Sequence, residues 1–382
     1  MSSQVPPEQH VEVAVIGGGP IGIETAIELR SRGVDAQVIE AGPVGHTISW
    51  WAPQTRWFSS NDRISIAGVP LHTVDQSKAS REEYLNYLRG VIDQFQVPIS
   101  TFERVENIQR VVQSRAMNRC WRLSTSRNGS HFRTIDADAV VLAIGGTDFP
   151  NRLGVPGETL AHVDGYLREV HHYHGRRVLI VGGRNSAVEA AIRLHRGGAK
   201  VALSYHRSEL PTDGIKYWLR PEIEGLIRSG SIQAWFGSRV VAIDESECTL
   251  EIDLPNASCD TVKVAADDVL TLIGYRQNPT LFDKLSLLPA NGDAKPIYDP
   301  KTMETPQPGI YLAGTAIGGT QSSKYQVFLE NCHDHSIKIA DHLGSSRTTD
   351  RRENSENDRN RSPSEDQTSE CLDRRIALQP ES

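Results

Sequence analysis

The 382-residue chain has only five cysteines, Cys120, Cys248, Cys259, Cys332 and Cys371, and no two of them form a Cys-x-x-Cys. Their scatter and odd number exclude a thioredoxin-type redox pair and a structural zinc, and they fit a reducing compartment, the cytoplasm. No apolar run exceeds strand length and Met1 to His10 is polar, which leaves neither a spanning helix nor a signal-peptide core. A net charge of -7 without a basic stripe removes the electrostatic reason to expect nucleic acid. There is no Gly-x-Ser-x-Gly elbow, and no residue stands out as a catalytic acid, base or nucleophile. His171, His172 and His174 lack a partner carboxylate or cysteine, so they read as surface loop residues and no metal is expected.

Two glycine clusters fill the gap. With 38% hydrophobic residues, the chain is long enough for two α/β domains. An apolar strand from Val11 to Ile16 enters Gly17-Gly18-Gly19-Pro20-Ile21-Gly22, a helix follows from Ile21 to Arg30, and a second strand runs from Val34 to Glu40. Gly17 permits the tight turn, Gly19 lets the backbone approach a pyrophosphate, Pro20 opens the helix, and Gly22 allows the helix to pack close on the strand. Glu40 stands where a carboxylate accepts hydrogen bonds from ribose hydroxyls. This unit is assigned to FAD. The pattern recurs with a strand from Arg177 to Val181, the turn Gly182-Gly183-Arg184-Asn185-Ser186-Ala187, a helix from Ser186 to His195, and a strand from Val201 to Ser204. Here Arg184 replaces the second motif glycine, and the strand ends on Tyr205-His206-Arg207 rather than an acid. Cations at that place attract a 2′-phosphate, which points to NADPH.

The expected fold is α/β, with two Rossmann-like dinucleotide-binding domains and the NADPH domain inserted into the FAD domain. Residues 1–151 form the first part of the FAD domain, 152–295 the NADPH domain, 296–344 the second FAD part with a C-terminal helix, and 345–382 a disordered tail. The strand from Ala139 to Ile144 ends at Gly145-Gly146 and that from Val269 to Ile273 ends at Gly274. These crossovers are where hinges are expected. A helix is expected from Ser80 to Phe95, with Tyr84, Leu85, Leu88 and Ile92 on one face. Trp50, Trp51, Trp57 and Phe58 form an aromatic cluster that packs under a loop or covers a flavin. After the strand from Gly309 to Ala313, Gly314 and Thr315 turn toward the flavin. Lys324, Tyr325 and Gln326 are expected to open a helix from Tyr325 to Leu343 that aims its N-terminus at the isoalloxazine, with Cys332 as a small buried hydrophobe inside it.

Several segments together resemble the YpdA family of bacillithiol disulfide reductases: Gln54-Thr55-Arg56-Trp57-Phe58-Ser59-Ser60, Gly154-Val155-Pro156-Gly157-Glu158, Gly182 to Ala191, Ile215-Lys216-Tyr217-Trp218, Thr302-Met303-Glu304-Thr305 and Phe328-Leu329-Glu330-Asn331. The resemblance covers residues 11 to about 343. It implies the fold of low-molecular-weight thioredoxin reductases without their Cys-x-x-Cys, FAD and NADPH as cofactors, a small-molecule disulfide as acceptor, and a homo-oligomer. Two departures matter. Family members carry a cysteine where this chain has Ile21, and thioredoxin reductases carry Gly-Asp where this chain has Gly314-Thr315. An isoleucine forms no mixed disulfide. The residues therefore leave four functions open: a disulfide reductase working without that thiol, a reductase of a small electron-carrier protein such as ferredoxin or flavodoxin, a flavin monooxygenase, and a non-catalytic redox sensor.

Overall fold

A computed structural model describes residues 9–111, 120–253, 259–289, 295–319 and 327–345. Its first unit is a mixed sheet with strands β1 (Gln9–Ile16), β2 (Ala36–Ile39), β3 (Ile99–Ser100), β4 (Arg104–Val111), β5 (Cys120–Arg127) and β6 (Ser130–Leu142) in the order β3-β2-β1-β6-β5-β4. β6 begins nine residues before the apolar run at Ala139, because its polar first half pairs antiparallel with β5 while its apolar end pairs parallel with β1. The last strand, β17 (Ile310–Leu312), pairs with Val140, Val141 and Leu142 on the edge that β5 has left.

Helix α1 (Pro20–Ser31) is buried from Ile21 through Ala26 on every side. It is enclosed between the sheet and the C-terminal helix, to which Thr25 Oγ1 is bonded through Ser336 Oγ at 2.9 Å. That enclosure explains a helix with no polar face. Two single-turn helices, α2 (His46–Ser49) and α3 (Asn61–Ile64), precede α4 (Arg81–Phe95). α4 starts on a capping box in which Ser80 and Glu83 satisfy each other's backbone N–H groups, and it buries Tyr84, Leu88 and Val91 against the same core.

The chain leaves this unit at β7 (Phe149–Pro150) and returns at β16 (Tyr275–Arg276), which pairs with β7 as a two-stranded ribbon. Between them lie β8 (Val163–Asp164), β9 (Arg177–Val181), α5 (Asn185–Arg196), β10 (Lys200–Tyr205), α6 (Arg220–Arg228), β11 (Gln233–Phe236) and β15 (Asp268–Thr271). The strands form an all-parallel sheet ordered β11-β10-β9-β15-β8. An antiparallel meander of β12 (Ser238–Ile243), β13 (Glu247–Asp253) and β14 (Cys259–Ala265) covers one face, and α5 and α6 cover the other.

After β16, helix α7 (Thr280–Lys284) places Leu281, Phe282, Leu285 and Leu287 in the core of the first sheet. We therefore place the end of the insertion at the β7–β16 ribbon rather than at residue 295. Glycine turns flag strand ends, whereas a five-residue helix leaves no periodicity to read. The C-terminal helix α8 spans 333–345. Phe328 is extended and Leu329–Asn331 form a 3₁₀ turn, so the α-helix starts after Cys332 and not at Tyr325. Phe328 and Asn331 instead make a local cap through the Asn331 carbonyl oxygen. Lys324, Tyr325 and Gln326 lie outside the described residues, as does the expected tail from residue 346 onward.

Candidate functional site

Both glycine clusters sit at the carboxyl edges of parallel strands, where α/β sheets bind ligands. In the first, Gly17 has φ of 113° and a Cβ there would lie 2.3 Å from Ala143 O; a Cβ on Gly22 would lie 2.0 Å from Gly17 O. These two glycines serve close backbone packing. Gly19 is different: a Cβ on it meets nothing within 4 Å. It is the N-cap of α1, with Pro20 following, and both residues line a cavity of about 980 Å³. Glu40, buried at the end of β2, accepts Gly18 N–H at 2.6 Å and Gly42 N–H at 2.7 Å, one on each carboxylate oxygen. Each oxygen keeps a lone pair for a further donor.

Two further turns beside this cluster line the same cavity. Gly145 has φ of 78° and Gly314 has φ of 68°. Gln277, almost fully buried, joins them by donating from Nε2 to Gly145 O at 2.6 Å and Ala316 O at 3.1 Å. Gly314 N–H donates to His335 Nδ1 at 3.2 Å. Burial pushes that imidazole down to about 4, so it stays neutral and accepts. Ile21, in the cysteine position of the family, is buried, and a Cβ on Gly314 would lie 3.2 Å from Ile21 Cβ. Thr315 lines the cavity.

The second cluster reaches the same cavity. Gly182 (φ 138°) and Gly183 are tight internal contacts, because a Cβ would lie 2.4 Å from Leu272 O at the first and 2.5 Å from the Tyr205 ring at the second. Arg184 is the exposed N-cap of α5 and Ala187 is buried in the core. Asn185 and Ser186 open onto the cavity, and Asn185 Oδ1 accepts Lys216 N–H at 2.6 Å, which stitches the loop 214–216 to the start of α5. His206 and Arg207 lie apart from the cavity, exposed beyond the end of β10. Ser204 is fully buried, its hydroxyl bonded to that of Ser238 at 2.8 Å.

The structure adds residues that the glycine motifs do not reveal. Glu189 and Arg193 continue the Asn185 face of α5 at intervals of four and line the cavity. Glu189 pairs with Lys216 at 2.8 Å, and Lys216 Nζ also donates to Arg56 O at 3.3 Å. Arg193 donates to Pro53 O and, at 3.3 Å, to Thr55 Oγ1. Ser59 Oγ donates to Glu330 Oε1 at 2.6 Å, which joins two segments far apart in sequence. The helical period of the second motif was the one signal for Glu189 and Arg193; Gln277 and His335 have none.

The aromatic cluster divides. Trp51, Trp57 and Tyr84 pack in a row, whereas Trp50 meets Tyr166 and Tyr275 with ring centroids 4.9 and 5.1 Å away. Trp50, Tyr166 and Tyr275 form a cavity wall, and burial pushes the Tyr275 hydroxyl up to about 12, so it remains protonated. Trp57 also lines the cavity, and its indole N–H is buried without an acceptor among the described residues. The open space over Gly19, the anchored Glu40 and this unmatched donor fit a dinucleotide.

Cys332 stands immediately before α8 rather than within it, buried, its Sγ 3.0 Å from Phe328 O. Burial pushes its thiol up to about 12 and that of Cys248 to about 11. Cys259 is exposed on β14. Among the described residues, no cysteine lines the cavity. His171 and His172 are exposed on a 3₁₀ turn, and His174 Nδ1 lies 2.9 Å from Gly197 O.

The family model for pyridine nucleotide-disulphide oxidoreductases matches residues 14–314. The chain belongs to that family. Within it, the chain is 31% identical to the bacilliredoxin reductase Bdr of Bacillus subtilis over 326 residues, covering 85% of this chain and 95% of the relative. The solved structure of the bacillithiol disulfide reductase Bdr (YpdA) from Bacillus cereus matches with a TM-score of 0.80 and 32% identity, over 88% of this chain and all of that one. These matches place the chain in the YpdA group of pyridine nucleotide-disulphide oxidoreductases. The thioredoxin reductase of T. acidophilum superimposes with a TM-score of 0.65 at 17% identity, over 89% of this chain and all of that one, which shows the shared two-domain fold. As a family member the protein is an NADPH-dependent flavin oxidoreductase with FAD and NADPH as cofactors. No helix among its described residues is long and apolar enough to cross a membrane.

Proposed function

We propose that the protein reduces a low-molecular-weight disulfide with NADPH as electron donor and with no cysteine of its own in the electron path. One observation carries this reading: Asn185 and Ser186 of the second motif and Gly17, Gly19 and Thr315 of the first unit line one cavity, and no cysteine among the described residues does. In this reading the nicotinamide half docks on the flavin half over that shared cavity, and no domain rotation is needed before hydride transfer. The names of the Bacillus relatives support a disulfide as acceptor.

In this reading Gly17, Gly19, Pro20, Glu40, Gly145, Gly314 and Thr315 hold FAD, while Gly182, Gly183, Arg184, Asn185, Ser186, Ala187, His206 and Arg207 hold NADPH. When bound, FAD supplies the two-electron relay between nicotinamide and acceptor. The overall balance closes without a protein thiol: NADPH gives a hydride, solvent gives a proton, the S–S bond breaks, and NADP⁺ and two thiols leave. His335 and Gln277 fix the two turns that face the cavity, and Arg193 and Lys216 hold α5 against residues 53–56. Trp50, Tyr166 and Tyr275 exclude water from one side. We place the protein in the cytoplasm as a homo-oligomer; sedimentation at working concentration tests the second point.

The deciding experiment is anaerobic. FAD-loaded protein is mixed with NADPH, loss of the flavin absorbance band is followed, and bacillithiol disulfide is then added. Return of the band, with NADPH consumed one for one with disulfide, is the expected result. A band that stays bleached with every disulfide but recovers with ferredoxin or flavodoxin overturns the acceptor assignment.

A further inference from the structure

We propose that Arg239 is a second fixed cation, beside Arg207, in the subsite for the adenosine 2′-phosphate of NADPH. This rests on the assignment of the second motif to NADPH. β10 and β11 are adjacent and parallel, and their last residues, Tyr205 and Phe236, are in register. The segments that leave them, Tyr205-His206-Arg207 and Phe236-Gly237-Ser238-Arg239, therefore emerge side by side at the carboxyl edge of the sheet, where a nucleotide binds. Two hydrogen bonds fasten them together, and a third closes the second segment onto its own strand. Gly237 N–H donates to Arg207 O at 2.8 Å, the Ser204 and Ser238 hydroxyls meet at 2.8 Å, and Ser238 Oγ donates to Trp235 O at 2.7 Å.

Arg239 is the next residue, with its side chain 58% exposed, and its Nη1 donates to Asp253 Oδ1 at 3.0 Å. Asp253 is itself tied to the same turn through its N–H to Gly237 O at 2.8 Å. A guanidinium carries five N–H donors, so one bond to Asp253 orients the fork and leaves donors for a phosphate. Arg239 lies close enough to His206 that, after burial and Arg207, its positive charge helps to hold the His206 imidazole below the ordinary range, which places the guanidinium at this same edge. A doubly charged phosphate is served best by two arginines, each of which stays charged. The sequence motif shows only one of them, because Arg239 follows a strand that carries no nucleotide signature.

The test is calorimetric titration of the FAD-loaded protein with 2′,5′-ADP and with 5′-ADP, which share every group except the 2′-phosphate. Arg239→Ala is expected to weaken 2′,5′-ADP about tenfold, the loss of one charge-assisted hydrogen bond, to leave 5′-ADP unchanged, and to recover in part as Arg239→Lys. If Arg207→Ala weakens 2′,5′-ADP and Arg239→Ala does not, the proposal is overturned while the NADPH assignment stands. If the unaltered protein binds both ligands equally, the 2′-phosphate subsite itself falls, and Arg239 with it.

Discussion

Gly19 and Gly22 belong to one motif yet are required for different physical reasons, and alanine at each position separates them. Gly19 has φ of -80° and ψ of 177°, an extended conformation any residue adopts, and its Cβ would meet no protein atom within 4 Å. Alanine there costs the folded apoprotein about 0.5–1 kcal/mol as an N-cap change, offset by a similar gain from the lower entropy of the unfolded chain. Its methyl group occupies the space through which the backbone meets a pyrophosphate, and overpacking of that kind costs about 1–3 kcal/mol, a factor of roughly 5 to 150 in FAD affinity. At Gly22 the new Cβ would lie 2.0 Å from Gly17 O and 3.1 Å from Gly17 C, both backbone atoms. The helix must shift, again at about 1–3 kcal/mol, against about 1 kcal/mol gained from helix propensity. A net loss of up to about 2 kcal/mol lowers the melting temperature by up to roughly 4–8 °C for a domain of this size. The assay pairs thermal melting of the apoprotein with FAD titration by fluorescence quenching. Gly19→Ala should melt like the unaltered apoprotein and bind FAD poorly, while Gly22→Ala should melt early. If Gly19→Ala binds FAD with unaltered affinity, the pyrophosphate does not pass over Gly19 and the cofactor assignment of this motif is wrong.

Arg207→Ala should raise KM for NADPH about tenfold and leave KM for NADH and kcat unchanged, since only the 2′-phosphate contact is lost; equal effects on both nucleotides refute the assignment. A variant with all five cysteines replaced by alanine should reduce disulfide at an undiminished rate per folded molecule, and loss of the second half-reaction alone would show that a thiol takes part. Arg193→Ala removes the α5 contacts to Pro53 and Thr55 and should slow flavin reduction by NADPH about tenfold while FAD affinity holds; an unchanged rate in stopped flow means those contacts do not set the docked state. His333 donates to Glu24 Oε2 at 2.8 Å and to Arg63 O at 3.0 Å, two acceptors that require the charged ring, and the Glu24 bond raises its pKa against the effect of burial. Its stabilisation is complete below the unfolded value near 6.5 and is lost as pH rises through the folded value, so melting temperature should fall on the alkaline side and His333→Gln should flatten that limb. His335 has the opposite sign: with its pKa lowered to about 4 by burial, it costs stability as pH falls from 6.5 toward 4.

The two βαβ units were legible because each joins three independent signals, an apolar strand, a glycine turn and a helical period, within about thirty residues. Glu40 was legible for the same reason, lying at a fixed distance from Gly22. The end of the inserted unit was not. Residues 277–289 contain a helix too short for periodicity, and only their packing against the first sheet reveals which unit owns Phe282 and Leu287. The start of α8 was misplaced because the apolar run Val327-Phe328-Leu329 suits a helix; the Asn331 cap and the bond from Cys332 Sγ to Phe328 O hold that stretch in a turn instead. Gln277 and His335 act through contacts with residues more than twenty positions away, and no local pattern encodes such contacts.

The contacts between the two nucleotide units show why one arrangement can serve both binding and turnover. Where α5 meets residues 53–56, the direct bonds are those of Arg193 to Pro53 O and Thr55 Oγ1 and of Lys216 to Arg56 O, supported by Lys78, whose ammonium lies 5.1 Å from the Phe58 ring and 4.6 Å from the Trp218 ring. Groups of this kind exchange protein partners for water at small net cost, unlike a sealed apolar interface. The flanking backbone is suited to movement as well, since the chain crosses between units only at the β7–β16 ribbon, beside Gly274 at positive φ. A nicotinamide half held by cations over carbonyls and hinged on a two-stranded ribbon can release NADP⁺ without disturbing the turns that Gln277 and His335 fix on the other side. The buried hydrogen bonds of Gln277 and His335 thus belong to the flavin half, whereas the contacts that dock the nicotinamide half are polar and nearer to solvent.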